Sequence, residues 1–266
     1  MTVHFVGAGP ETADLLTVRA ATLLRETPVC VFAGTYVDDD VLSLCGPVTR
    51  LVDTQHLDLD AITAALVQAH EGGLDAVRLC SGDPSLYSAL TEQTRRLDAA
   101  GVPWDVTPGV PAYAAAAAAL GVELTVPELV QTVVLTRTQA RSTSMPEAES
   151  LESTAAIGGS LVLHLGITRI RALASTLVDA YGPDCPVAVV AFASQPREVV
   201  ARGTLNDIAD RVEPLGLRHT AVIIVSRALT ARSEAACVAE SHLYDATRTR
   251  PGITRPSDAS RPGRPG

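Results

Sequence analysis

The chain has 266 residues, of which 47% are hydrophobic and only 3% aromatic, and its 21 Lys and Arg against 30 Asp and Glu give a formal net charge of −9. This acidic balance, with no basic stripe before the C-terminal tail and few rings to stack on bases, argues against nucleic-acid binding. No run of about 18 apolar residues is present to form a membrane-spanning helix, so we expect no membrane association.

The N-terminus and the cysteines indicate a cytoplasmic protein. Residues 1–5 lead directly into a predicted strand, without the basic region and cleavage site of a secretory signal peptide. The five cysteines lie far apart in no metal-ligand spacing, and most of them fall in apolar segments, where cysteine behaves as a small hydrophobic residue. We therefore expect a reducing environment and no metal site.

The first strand, residues 3–6, and the turn of residues 7–10 precede a predicted helix that Thr12 or Asp14 would cap. Its inner face would carry Leu15, Leu16, Val18, Leu23 and Leu24. The turn begins like a dinucleotide-binding GxGxxG motif, but Thr12 stands at the third glycine and no acidic residue ends the second strand, at residues 29–33. These two differences argue against a nicotinamide-dependent oxidoreductase.

Strands and helices continue to alternate, which is typical of an α/β protein. The acidic run Asp38–Asp40 resembles a metal site, but the solvated start of a short helix is the favoured interpretation. A third strand over residues 48–52 precedes a helix that Asp58 or Asp60 would cap. With the two strands described next, this gives five β-α units by about residue 120, a complete parallel sheet.

The stretch from Leu79 to Ala112 holds two strand-to-helix junctions. The strand over residues 76–80 ends at the turn Ser81–Pro84, after which a helix would begin, and a strand ending at Val106 is followed by a turn that Pro111 closes. Ligands of open α/β sheets bind at the carboxyl ends of the strands, and helix starts suit polar or anionic groups. Gly and Pro can simply punctuate a chain, but two such turns on presumed neighbouring strands predict a binding site.

The second half of the chain predicts a second α/β unit. Residues 121–128 look like a linker, so we place one domain at residues 1–120 and another at 125–232. Its strands are predicted at residues 131–135, 160–165, 186–192, 198–203 and 221–225, with helices at 168–181 and 205–212. Residues 142–153 are predicted to form a loop or lid. Residues 245–266, rich in Arg, Pro, Gly and Ser, are predicted to be a disordered tail.

Six motifs resemble the tetrapyrrole methylase family, the S-adenosylmethionine-dependent enzymes that methylate corrin and porphyrin precursors. They are VGAGPETADLLTVRA, LCSGDPSLYSALTEQ, TPGVPAYAAAAAALG, LVLHLG, ASQPREVVARGTL and AVIIVSRAL, in the family's order. SGDPSLY followed by TPGVPA is the most specific part. Two positions depart from the family pattern, because Glu11 and Ser226 stand where glycine is usual.

The resemblance implies two α/β domains, an N-terminal parallel sheet and a C-terminal mixed sheet, with S-adenosylmethionine in the cleft between them and usually a homodimer. The cofactor-binding residues that it implies are Pro10, Gly82, Asp83, Pro84, Leu86, Pro111, Ala112, Leu165, Ala193 and Ala221. The substrate would be a tetrapyrrole such as a precorrin, fringed with acetate and propionate groups. Its candidate contacts are Gly7, Gly9, Tyr113, Arg137, Arg169 and Arg197.

Three side chains leave more than one interpretation open. Asp83 would cap the helix that follows it, hold a polar group of the cofactor, or do both. His164 is interpreted as a hydrogen-bonded core histidine, and no catalytic residue is identified. Glu11 is either a helix-start acid stabilised by helix amides or a carboxylate at the cleft mouth that repels the substrate. A sibling methylase for another precorrin or cobalt-precorrin carbon, and a tetrapyrrole-binding protein without activity, remain as alternatives.

Overall fold

The structure, a computed structural model, describes residues 1–138 and 144–231. The strands are β1 Val3–Gly7, β2 Val29–Phe32, β3 Arg50–Asp53, β4 Ala76–Cys80, β5 Trp104–Thr107, β6 Val133–Arg137, β7 Ser160–His164, β8 Pro186–Ala191, β9 Val199–Thr204 and β10 Ala221–Val225. The helices are α1 Val18–Glu26, α2 Asp39–Leu42, α3 Leu59–Glu71, α4 Leu90–Ala99, α5 Ala112–Leu120, α6 Leu151–Ala155, α7 Ile170–Tyr181 and α8 Ile208–Val212. The predicted tail, residues 245–266, lies outside the described residues.

The first sheet is parallel, in the order β3-β2-β4-β1-β5. The strands β2 and β4 are buried along their whole length, and β1 nearly so, as their continuous apolar sequences suggest for strands covered on both faces. The two junctions expected on neighbouring strands are in fact on β4 and β5, with β1 between them, because the chain crosses over to both sides of β1. The loops that follow β1, β4 and β5 nevertheless all start at the same edge of the sheet, because the three strands are parallel.

The second sheet is mixed, in the order β6-β7-β10-β8-β9, and only the β6–β7 pair is parallel. The two α/β sheets confirm the predicted fold class. One face of this sheet packs against α7 and α8, and the other against α5, whose Ala116 and Leu120 lie in one cluster with Val190 and Ile224. A helix within the predicted first domain therefore packs on the second sheet, and the proposed domain bounds remain a prediction.

Several predicted element boundaries are wrong. The first helix begins at Val18, which is 86% exposed rather than inward, because Thr17 caps it after a 3₁₀ turn at Ala13–Leu15. The third strand begins at Arg50, two residues later than predicted. Part of the predicted 142–153 loop is the helix α6, which Ser150 caps. Asp38 and Asp58 do cap α2 and α3 as expected, and no described helix is long and apolar enough to cross a membrane.

Candidate functional site

Three loops, after β1, β4 and β5, pack backbone against backbone through glycines. Gly9 and Gly82 exchange two main-chain hydrogen bonds, of 3.1 and 2.8 Å. A methyl group on Gly7 would lie 2.5 Å from the amide nitrogen of Gly109, and one on Gly109 would lie 2.2 Å from the carbonyl oxygen of Gly82. No side chain fits at either position, so the sequence GAGP, SGDP and TPGVP builds one compact unit.

Asp83 ties two of these loops together. Its Oδ2 accepts a hydrogen bond of 2.8 Å from the amide of Gly109, and its Oδ1 accepts bonds from the amide and the hydroxyl of Ser85. Partial burial alone would raise the pKa of Asp83, but these hydrogen bonds outweigh it and hold the pKa below its usual value. The predicted helix at this position is wrong, since α4 begins at Leu90. Asp83 caps a loop rather than a helix.

A cavity of about 510 Å³ lies between the glycine loops and the second sheet, a size typical of small-molecule sites. Nine of the ten predicted cofactor-binding residues line it, namely Pro10, Gly82, Asp83, Leu86, Pro111, Ala112, Leu165, Ala193 and Ala221. Pro84 is buried and does not line it. The structure thus gathers the predicted residues around one cavity, and their role in binding stays a prediction.

The predicted substrate-binding residues do not come together. Gly9 lines the cavity, whereas Gly7 packs against Gly109 and Tyr113 packs against the apolar cluster below α5. Arg137 and Arg169 line a separate cavity of about 310 Å³ beside α6 and α7. Arg197 lies next to the main cavity, with its Nε atom bonded to Gln195.

Polar and aromatic residues outside the predicted cofactor set also line the main cavity. Glu11 and His164 are singled out in the sequence with other roles, whereas sequence reasoning missed Tyr36, Tyr87, Gln195, Arg218 and His219. Arg218 and His219 come just before β10, which runs antiparallel to β8, so that Ala221 pairs with Ala191. The start of β10 therefore lies at the same edge as the end of β8. Recognising β10 as antiparallel would have predicted this placement.

His164 ends β7 and faces the ring of Tyr87, with 5.6 Å between the ring centroids. Its Nε2 atom is buried and has no hydrogen-bond partner in the part of the chain that the structure describes. The interpretation as a hydrogen-bonded core histidine is therefore wrong. Burial lowers the pKa of His164, so the imidazole is neutral at neutral pH.

Glu11 is buried, with 5% of its surface exposed, and its φ of 73° lies in the left-handed region that favours glycine. Its Oε1 accepts a hydrogen bond of 3.2 Å from the Ser81 hydroxyl, and its Oε2 accepts one of 3.0 Å from Nε2 of Gln195. Asp40, not Glu11, accepts the amide of Ala13 in the following turn. The helix-start interpretation is wrong, because the carboxylate accepts from Ser81 and Gln195 rather than from helix amides. Glu11 does line the main cavity, and its effect on the substrate stays a prediction.

Burial raises the pKa of Glu11 above its ordinary value, against hydrogen bonds and the nearby Arg197 that lower it. A carboxyl group with a higher pKa when folded binds its proton more tightly when folded, so it adds stability as pH falls through the folded pKa and loses it as pH rises. We expect the free energy of unfolding of the parent, relative to Glu11→Gln, to increase between pH 7 and about pH 5. Urea unfolding of both proteins across this pH range measures the difference in the free energy of unfolding. If this difference stays constant or decreases as the pH is lowered, the burial of the Glu11 carboxyl group is contradicted.

Ser226, the second departure from the family pattern, has its hydroxyl group hydrogen-bonded at the end of β10, in the second sheet. Its hydroxyl lies 2.6 Å from the Ser160 hydroxyl and accepts a 3.0 Å hydrogen bond from the amide of Ala228. It caps the 3₁₀ turn Arg227–Thr230 and does not line the main cavity. This substitution therefore leaves the site unchanged.

Comparisons with known proteins agree with this geometry. A profile of the tetrapyrrole (corrin/porphyrin) methylases matches residues 2–209. The chain is 52% identical over 250 residues to a precorrin-4 C(11)-methyltransferase of Rhodococcus erythropolis, covering 94% of this chain and 99% of that one. The chain belongs to the tetrapyrrole methylase family.

Other members of the family are also similar to this methylase. A cobalt-precorrin-4 C(11)-methyltransferase of Methanocaldococcus jannaschii is 37% identical, over 91% of this chain and 92% of that one. The X-ray structure of a cobalt precorrin-4 methyltransferase superposes with a TM-score of 0.83 at 34% identity, covering 86% and 95% of the two chains. A uroporphyrin-III C-methyltransferase from Thermus thermophilus, complexed with S-adenosylhomocysteine, gives 0.73 at 27% identity over 87% and 100%.

Proposed function

We propose that this methylase transfers a methyl group from S-adenosylmethionine to carbon 11 of precorrin-4, in cobalamin biosynthesis. The observation that carries the proposal is the 52% identity, over nearly the full length of both chains, to a precorrin-4 C(11)-methyltransferase. The segments VCVFAGTYVDDDVL, SLYSALTEQ, VQTVVLTRT and LHLGITRI also resemble such enzymes within the family.

The residues around the main cavity fit the cofactor. Small residues of the loops line the cavity and leave room for the adenine and ribose, and Gly82, Pro111, Ala112 and Ala193 would hold the group. Backbone packing fixes these loops before binding, so positioning requires little rearrangement. When bound, S-adenosylmethionine supplies a methyl group on a sulfonium centre. Leu86, Val190 and Val222 give the cavity apolar walls, which would exclude water when it is filled.

Methylation of a ring carbon by a sulfonium breaks a sulfur–carbon bond, forms a carbon–carbon bond and releases a proton from the substrate. The neutral imidazole of His164, in the wall of the cavity, is suited to accept that proton. No cluster of three metal-ligating side chains occurs among residues 1–138 and 144–231, and this chemistry needs none.

A substrate with several carboxylates needs positive charge in an otherwise acidic protein. Arg218 and His219 line the main cavity, and Arg197 lies beside it. We assign carboxylate recognition to this side of the cleft, in place of Arg137 and Arg169.

A homodimer and a cytoplasmic location are further proposals from the family resemblance. Analytical ultracentrifugation would measure the oligomeric state.

Metal-free precorrin-4 is the preferred substrate, because relatives named for precorrin-4 reach 50–52% identity and those named for cobalt-precorrin-4 only 34–37%. We expect methyl transfer to precorrin-4 to exceed that to its cobalt complex under matched conditions. Titration calorimetry with S-adenosylhomocysteine tests the cofactor separately. Binding of S-adenosylhomocysteine without methyl transfer to either macrocycle would favour the alternative of a protein without this activity, and no binding of S-adenosylhomocysteine would contradict the proposal.

A further inference from the structure

A chain of hydrogen bonds joins Glu11, on the loop after β1, to Arg197, on the loop after β8. The buried Gln195 stands between them, and its Nε2 donates to Oε2 of Glu11 at 3.0 Å and to the carbonyl of Pro10 at 3.2 Å. Its Oε1 accepts a bond of 3.1 Å from Nε of Arg197. The chain therefore links the two sheets across the edge of the main cavity.

The carboxylate of Glu11 fixes which way the Gln195 amide points. An amide group offers two donors on one side and an acceptor on the other. Because the donors meet two acceptors on the first loop, the amide oxygen is directed at Arg197. Without the carboxylate, only the Pro10 carbonyl would hold this orientation.

The side chain of Arg197 is exposed to solvent. Its guanidinium carbon lies 4.0 Å from the centre of the Phe192 ring, and the ring of His219 packs edge-on against the same phenylalanine. The two Nη atoms of Arg197 have no hydrogen bond or ion pair with any residue that the structure describes. A guanidinium held at Nε, with both Nη groups open, matches the two oxygens of a carboxylate.

We propose that Glu11 is a positioning residue, which acts through Gln195 to hold Arg197 where it takes a carboxylate of the substrate. The proposal rests on the proposed function in its choice of a carboxylated tetrapyrrole. It reverses the sign of one of the two sequence interpretations, in which a carboxylate at the cleft mouth would repel the substrate. Here the negative charge faces inward, to Ser81 and Gln195, and its effect on the ligand is mediated by an arginine.

The chain offers a matched control for Glu11→Gly. Glu128 also has a left-handed backbone, with φ of 61°, but its side chain is exposed and lines neither cavity. Glu128→Gly removes the same charge from the same backbone conformation. Both glycine variants should fold, because glycine adopts this conformation without strain. Glu11→Gln keeps a hydrogen-bonding side chain of the same length and removes only the charge.

The readouts are KM and kcat with precorrin-4 and, independently of turnover, the dissociation constant of the octacarboxylate uroporphyrin III. We expect Glu11→Gly to raise both KM and that dissociation constant about tenfold, with kcat and S-adenosylhomocysteine affinity within about twofold of the parent. Glu11→Gln should retain most of the affinity, and Glu128→Gly all of it. In a double-mutant cycle, Glu11→Gly should add little to the loss caused by Arg197→Ala.

Three results would overturn the proposal: affinity in Glu11→Gly equal to that in Glu128→Gly, losses in Glu11→Gly and Arg197→Ala that simply add, or a loss in Glu11→Gln as large as that in Glu11→Gly. The last would show that a hydrogen-bonding side chain at position 11 is not what holds Arg197 in place. If the parent binds uroporphyrin III with this coupling but does not methylate precorrin-4, the proposed function fails and the role of Glu11 stands.

Discussion

Substitution of Gly109 by alanine is expected to abolish cofactor binding. The added methyl group would lie 2.2 Å from the carbonyl oxygen of Gly82 and 2.8 Å from the Cα atom of Gly7. Both obstacles are backbone atoms, which cannot swing aside, so the three loops must separate. We expect the dissociation constant of S-adenosylhomocysteine to rise at least about a hundredfold and the stability to fall by about 1–3 kcal/mol. Calorimetry and urea unfolding measure the two effects.

Two other glycines serve as controls for this clash. Gly101 has a φ of 69° and no atom within 4 Å of an added methyl group, so Gly101→Ala should cost about 1 kcal/mol of stability and leave binding unchanged. Gly82 has a similar φ of 66°, and its nearest neighbour would be the Ala112 amide at 3.7 Å. Gly82→Ala should therefore have an intermediate effect. Parent-like cofactor binding by Gly109→Ala would show that the glycine loops do not shape the site.

Replacement of Asp83 by alanine should weaken cofactor binding more than it weakens folding. The variant leaves the amides of Gly109 and Ser85 without their acceptor and releases the third loop from the second. We expect the dissociation constant of S-adenosylhomocysteine to rise about 10- to 100-fold, which is about 1.4–2.7 kcal/mol, at a cost of about 1 kcal/mol in stability. Asp83→Asn has one acceptor atom instead of two, so its affinity should lie between those of the parent and the alanine variant.

Asp58→Ala is the matched control for Asp83→Ala. Asp58 caps α3 by accepting the amide of Ala61 at 2.8 Å, and it does not line the main cavity. Its loss should cost about 1 kcal/mol of stability and leave the affinity for S-adenosylhomocysteine unchanged. If Asp83→Ala binds as tightly as Asp58→Ala, Asp83 is a structural cap and nothing more.

The sequence predicts the strands and the turns after them from local patterns, and the family resemblance adds most of the other residues of the cavity wall. Apolar runs such as Val29–Phe32 specify buried strands, and the Gly-Pro turns after them specify loops at the carboxyl edge. Two of the candidate arginines lie away from the main cavity for a reason of topology. Arg137 and Arg169 line a separate cavity beside α6 and α7, and the packing of these two helices is not visible in the local sequence.

The role of Glu11 could not be predicted, because its main partner lies 184 residues away. Local sequence shows an acid after Gly-Ala-Gly-Pro, which suggests an exposed helix start. Burial between Ser81 and Gln195 raises the pKa of Glu11 and changes its expected effect on the substrate. The same holds for Asp83, whose bond to Gly109 spans 26 residues and replaces a predicted helix cap.

Locating the transferred methyl group tests the proposed function most directly. The protein is incubated with precorrin-4 and S-adenosylmethionine that carries ¹³C in its methyl group, and the product is examined by NMR. We predict a single labelled methyl group on carbon 11, in a reaction that the parent catalyses and Gly109→Ala does not. Label on another ring carbon, or no transfer by a protein that binds S-adenosylhomocysteine, would contradict the account.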